Sequence, residues 1–172
     1  CMKMKNDYEI IIVGSGMIGL SIAKSLSKEN YNSVLIVEKE ETYGRGISSR
    51  NSEVIHSGIY YPNNTLKSKL CIEGNKKLYS FCKDHSIWNK RCGKIIVGQK
   101  HQTDIIHNLY KNAKLNNISG VKILKKNDIS NYESLIHGDI ALHIASTGIV
   151  SSHEFMDRLY NISSNGQHDY LF

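Results

Sequence analysis

Three glycines and one acid near the start of the chain have the spacing to bind a phosphate-linked dinucleotide. Gly14-Ser15-Gly16-Met17-Ile18-Gly19 directly follows the apolar run at 8–13, and a second apolar run, Val34–Val37, ends in Glu38. Gly14 lets the chain turn tightly off a strand. Gly16 lets backbone N–H groups approach a pyrophosphate, and Gly19 lets the next helix lie close on the sheet. Met17 and Ile18 open that helix, where unpaired N–H groups and the dipole favour an anion. Glu38, followed by Lys39, stands where ribose hydroxyls would donate to a carboxylate. Glycines alone would fit a plain turn. The apolar helix after them (Leu20, Ile22, Ala23, Leu26) and the acid at the right distance favour a βαβ nucleotide unit.

The segment after Glu38 bears on which dinucleotide. A nicotinamide domain usually returns from its second strand into another helix. Here the chain continues with Gly44, Arg45, Gly46, Ser48, Ser49, Arg50, Asn51 and Ser52. Small polar residues let a backbone track an extended cofactor, and FAD is long enough to need that. Arg45 or Arg50 could neutralise its pyrophosphate. Ser49, Asn51 and Ser52 are placed along the cofactor, with an Asx turn as the equal alternative for Asn51.

At this point a family resemblance is visible. The chain resembles the FAD-dependent amino-acid-oxidase-like superfamily. Within it, Ser49-Arg50-Asn51-Ser52-Glu53-Val54-Ile55-His56-Ser57-Gly58-Ile59-Tyr60-Tyr61 resembles the L-2-hydroxyglutarate dehydrogenase/oxidase family. So do Leu66-Lys67-Ser68-Lys69-Leu70-Cys71-Ile72-Glu73-Gly74 and Ser146-Thr147-Gly148-Ile149-Val150-Ser151-Ser152-His153-Glu154. The resemblance implies a flavoprotein that oxidises L-2-hydroxyglutarate to 2-oxoglutarate and passes electrons to the respiratory chain or to oxygen. It implies His56 near the flavin ring, either as the base that takes the hydroxyl proton or as a packing residue. Arg50, Tyr60 and Tyr61 are the substrate-side candidates, although two adjacent tyrosines also suit a strand core. Lys67 and Lys69 are better read as solvated. Members of the family are about twice this length, and Asn131-Tyr132-Glu133-Ser134-Leu135 lacks a proline that relatives carry. Other substrates in the superfamily, an amino acid or glycerol 3-phosphate, and a truncated non-catalytic nucleotide module are the alternatives.

The elements that must hold these residues follow from periodicity. Strands are expected at 8–13 and 33–38 around a helix at 17–28, with Asn30, Tyr31 and Asn32 turning the chain. A helix at 65–83, capped by Asn64 or Thr65, presents Leu66, Leu70, Cys71, Leu78, Phe81 and Cys82 on one face. Short strands are expected at 94–98 and 121–124, and an alternating strand at 139–144. Helices are expected at 104–115, capped by Thr103, and from 152. The fold class is α/β: a Rossmann-like FAD-binding βαβ domain (1–90), the start of an α+β substrate domain (91–150), and a return toward the first (151–172).

Composition narrows the class further. The 172 residues carry a net charge of +6, and 65–100 holds nine Lys/Arg against two acids. That segment reads as a solvated helix face, with an anionic substrate or membrane surface as the sharper alternatives. No nucleic-acid motif appears, and no such partner is expected. No metal-ligand spacing appears either. Cys1, Cys71, Cys82 and Cys92 read as reduced and mostly buried. A cytoplasmic protein is expected, with peripheral association at the inner face of a membrane as a variant. Cys1 ahead of Met2 reads as a leftover of the reading frame. The apolar ending Tyr170-Leu171-Phe172 reads as the approach to another element, so a fragment is expected.

Overall fold

A computed structural model describes residues 7–29, 31, 33–165 and 168–172. Cys1, Asn30 and Asn32 lie outside the described residues. In chain order the elements are β1 (Ile10–Val13), α1 (Met17–Lys28), β2 (Val34–Val37), β3 (Val54–Ile55), α2 (Leu66–Asp84), β4 (Asn89–Lys90), β5 (Lys94–Gly98), α3 (Thr103–Leu115), β6 (Val121–Lys125), α4 (Lys126–Ile129), β7 (Ile140–Ile144), β8 (Gly148–Val150), α5 (Ser152–Asn165) and β9 (Asp169–Leu171). Short 3₁₀ turns occupy Ile47–Ser49 and Lys100–Gln102. Backbone contacts divide the chain into two compact units. One runs up to Glu53 and resumes at Ser151–Phe172; the other is Val54–Val150.

In the first unit β1, β2 and β9 form a parallel sheet with β2 in the middle. Parallel neighbours need a crossover, and α1 and α5 supply two of them. Ala23 and Leu26 of α1 pack on Ile12, Val34 and Ile36, with Tyr170 of β9 beside them. α1 and α5 also pack on each other. The loop after β2 is fastened to α5. The Tyr43 hydroxyl donates to Asp157 at 3.0 Å and its ring stacks on Tyr160 at 4.3 Å between centroids. Burial, reinforced by Asp157, pushes the Tyr43 hydroxyl up to about 12.

In the second unit two antiparallel sheets have the orders β3-β8-β4 and β5-β7-β6. The strand expected to alternate, now β7, does not: Ile140, Ala141, Leu142 and Ile144 are all buried. It is central, and both faces are covered. Ile140, Leu142 and Ile144 pack with Ile106 and Ala113 of α3, and Ala141 packs with Leu124 and Ile129. A two-sided strand loses its polar positions.

Three expectations need correction here. The face that α2 buries is only partly the expected one: Cys82 is buried and Cys71, Leu78 and Phe81 are half-buried, but Leu66 and Leu70 are 71% and 59% exposed, and Ser68 and Asn75 are buried instead. The polar pair goes inside because it has partners there. Ser68 Oγ donates to Asn116 Oδ1 at 2.9 Å, and Asn75 Nδ2 donates to the carbonyls of His56 and Ser146. Those partners lie in 54–150, so α2 belongs to the second unit, although the sequence reading puts the boundary at 90. Second, Thr103 does not cap α3 but begins it, its hydroxyl donating to the Lys100 carbonyl of the preceding 3₁₀ turn. Thr65 does cap α2. Third, among the described cysteines only Cys82 is buried; Cys71 is half-buried and Cys92 is exposed in the β4–β5 connection.

Candidate functional site

The turn from β1 into α1 is tied to the end of β2. Gly14 takes a φ of +96°, open to glycine at little cost, and its N–H donates to the Val37 carbonyl at 2.7 Å. A Cβ on Gly19 would run into the Gly14 carbonyl oxygen, so only glycine lets the helix leave this close to the strand. Ser15 is buried between them. Its N–H and Oγ both donate to Glu38 Oε2, at 2.8 and 2.9 Å, while Glu38 Oε1 accepts from the N–H groups of Lys39 and Glu40 at 2.9 and 3.2 Å. The Ser15 N–H foremost, then its hydroxyl and the other N–H groups, hold the Glu38 carboxyl below its usual range against the opposing effect of burial.

The N-terminus of α1 is open to an anion. Gly16 makes no side-chain cap and no acid sits in the first turn. The Met17 N–H donates to Ser48 Oγ at 3.0 Å, and a Cβ on Gly16 would lie 2.9 Å from that same oxygen. A neutral hydroxyl thus stands where an anionic oxygen would be received. Ile18 is exposed at the helix start, and Lys39 pairs with Glu40 at 3.3 Å on the surface.

The polar loop after Glu38 holds Ser48 in place. Asn51 closes an Asx turn, accepting from the Glu53 N–H and donating to the Ser48 carbonyl, both at 2.7 Å. The Ser49 hydroxyl donates to the Gly46 carbonyl at 3.0 Å. Arg50 and Ser52 are exposed. Arg45 and Arg50 line an open cavity of about 570 Å³ with Lys39, Glu40, Glu41, Gly46 and Ile47. Glu53, at a left-handed φ of 55°, accepts from the N–H and hydroxyl of Ser152 at the start of α5, both at 2.8 Å. These bonds, the N–H first, lower the Glu53 carboxyl.

The second group of candidates is built in the other unit. The His56 ring is exposed and its carbonyl accepts from Asn75 Nδ2 at 3.0 Å. The carbonyls of Ile59 and Tyr61 both accept from Asn112 Nδ2, at 3.0 and 2.9 Å, and Tyr61 also from Asn116 Nδ2 at 3.0 Å. Tyr60 and Tyr61 are in a turn, not in a strand core. Tyr60 is exposed with Lys94 Nζ 4.8 Å from its ring centroid; Tyr61 is half-buried with Lys67 Nζ at 4.6 Å. His56, Tyr60, Tyr61, Lys94 and Thr147 line one small cleft.

Ser15, Ser48 and Glu53 carry the geometry of the first site, yet none was singled out from sequence. Ser48 lies in the polar tract and Ser15 inside the glycine motif. Glu53 had no local signal, because its partner is 99 residues away.

Residues 9–165 match the family described as FAD dependent oxidoreductase. The chain belongs to that family. A helix N-terminus whose first residue brings no side-chain cap, glycines where side chains would intrude and a carboxylate at the tip of β2 fit the FAD that gives the family its name. The chain is 38% identical over 151 residues to an L-2-hydroxyglutarate dehydrogenase, mitochondrial, of Dictyostelium discoideum, covering 86% of this chain and 34% of that one. It is 34% identical over 146 residues to an L-2-hydroxyglutarate dehydrogenase of Indibacter alkaliphilus, covering 84% and 37%. The matched stretch therefore spans only about a third of the length of these curated relatives. Among solved structures it is similar to FAD-bound L-alpha-glycerophosphate oxidase of Mycoplasma pneumoniae, with a TM-score of 0.86, 23% identity, and 94% of this chain and 43% of that one covered. Glycine oxidase of Geobacillus kaustophilus gives a TM-score of 0.82 at 21% identity, covering 95% and 46%. These two likenesses show the fold. Among the described residues no helix is long and apolar enough to cross a membrane.

Proposed function

We propose that this chain is part of an FAD-dependent 2-hydroxyacid dehydrogenase that converts L-2-hydroxyglutarate to 2-oxoglutarate. The observation that carries the reading is the identity of 34–38% to L-2-hydroxyglutarate dehydrogenases over most of the chain. Proteins named for other substrates share the fold at 23% identity or below. When bound, the flavin accepts the hydride. The chain's own residues bind and orient. Gly14, Gly16, Met17, Ile18 and Gly19 receive the pyrophosphate, and Glu38 exchanges its Ser15 contacts for ribose hydroxyls. Lys39, Ser49, Asn51 and Ser52 shape the loop beside the cofactor. Arg50, Tyr60 and Tyr61 face the substrate, and His56 takes the hydroxyl proton at a ring nitrogen that its exposure leaves reachable. Residues 151–172 return to the cofactor domain, a reading that β9 beside β2 supports. Electrons leave to a respiratory-chain acceptor or oxygen, with the enzyme in an aqueous compartment or peripherally at a membrane.

The test is anaerobic reduction of protein expressed from the complete reading frame. Yellow protein bleached by L-2-hydroxyglutarate, and not by glycerol 3-phosphate or amino acids, is the expected result. Bleaching by one of those others instead would reassign the substrate. His56→Ala should keep its flavin and slow reduction by about 10²–10⁴-fold, with reoxidation unchanged. Gly16→Val should fold but purify colourless, since the new side chain occupies the anion's place.

A further inference from the structure

The second unit contains a cavity of about 110 Å³ that the proposed function does not use. Ser57, Ser146, Lys76 and Arg91 line it, and no acid does. Ser57 is 4% exposed. Neither its Oγ nor the buried Oγ of Ser146 has a hydrogen-bond partner among the described residues. Two buried hydroxyls without partners are costly unless something polar meets them.

We propose that this cavity is a binding site for a small oxyanion, a phosphate or a carboxylate. Such an ion brings several acceptor oxygens and no obligatory donor, which matches two hydroxyls and two cations. A metal cation would face Lys76 and Arg91 with no carboxylate to balance them. The volume equals roughly three or four waters, enough for an ion of this size. The walls are set in advance. Asn75 Nδ2 donates to the carbonyls of His56 and Ser146, fixing the backbone beside both hydroxyls. The Arg91 guanidinium lies 4.1 Å from the Tyr79 ring centroid, and the Tyr79 hydroxyl donates to the Ser146 carbonyl at 3.3 Å. Arg91 is thus held at the cavity wall by the Tyr79 ring and by a hydrogen bond to the Tyr79 hydroxyl, which leaves the rest of its five N–H donors for an anion.

The test is calorimetric titration of the full chain with inorganic phosphate and, separately, with succinate, in chloride buffer. Saturable binding of at least one is expected. Phosphate alone or succinate alone would identify the source of the oxyanion. Arg91→Gln, a change at an exposed residue, and Ser57→Ala should each keep the wild-type melting behaviour and weaken that binding roughly tenfold or more. Phosphate could also settle at the N-terminus of α1, so the variants decide the place. No saturable binding of either ion, or binding that Arg91→Gln leaves unchanged, would overturn the proposal. Because the readout is ion binding to residues outside the dinucleotide turn, it stands or falls separately from the substrate assignment.

Discussion

The two polar loops of this chain, 38–53 and 56–61, are held by opposite ends of the hydrogen bond. In the first, carboxylates accept: Glu38 from Ser15, Lys39 and Glu40, and Glu53 from Ser152. In the second, carboxamides donate: Asn75, Asn112 and Asn116 to the carbonyls of His56, Ile59 and Tyr61. The reason lies in what each loop borders. The first runs beside helix starts, where N–H groups are left over. The second turns its carbonyls inward, beneath α2 and α3, where only donors are useful. Carboxylates titrate and carboxamides do not, so the two halves should answer differently to acid.

The largest effect should come from Gly19→Val. Its side chain collides with the Gly14 carbonyl, and we expect a loss of about 3 kcal/mol of stability, at the upper end for overpacking, together with loss of the cofactor. Denaturant unfolding and flavin content measure both. Normal stability would show that the helix does not sit this close to the turn. Next is Asn112→Leu, which strips two loop carbonyls of a donor. It should cost about 2 kcal/mol, equally at pH 7 and pH 4. A pH-dependent cost would erase the contrast between the loops.

Glu38→Gln should be milder, about 1 kcal/mol at pH 7, because the site is partly open to solvent. Its cost should shrink in acid. Both Glu38 and Glu53 have folded values below the ordinary 4.5. As the pH falls, the unfolded chain therefore binds protons first. The stabilisation is present above 4.5 and is lost as the pH drops toward the folded values. A melt series from pH 7 to pH 3 should show the wild type losing more than Glu38→Gln, and parallel curves would remove Glu38 from the acid response.

Much of the first unit was readable from spacing. The helix expected at 17–28 is α1, and the motif glycines sit where the turn needs them: Gly14 at positive φ, Gly19 against backbone. The site was less legible. The spacing places Glu38 at the tip of β2 but gives no sign that its carboxylate accepts from four protein donors. Asn51, read evenly as a cofactor contact or an Asx turn, makes the turn. The reading of α2 is right at Cys82 and wrong at Leu66 and Leu70, because helical period shows which residues share a face and not how much of it is buried. Leu66 and Leu70 share theirs in the open, while Ser68 and Asn75 go inside to meet polar partners.

The features legible along the chain are local: turns that only glycine can make, helices whose period and caps lie within a few residues, and an acid at the tip of a strand. Such signals need no partner from elsewhere in the chain. The tertiary structure decided everything that depends on a distant partner. It put Glu53 on Ser152, laid β9 beside β2, buried both faces of β7 and left two serine hydroxyls facing a basic cavity. Hydrogen bonds and burial are pairwise, and a linear pattern carries only one member of each pair.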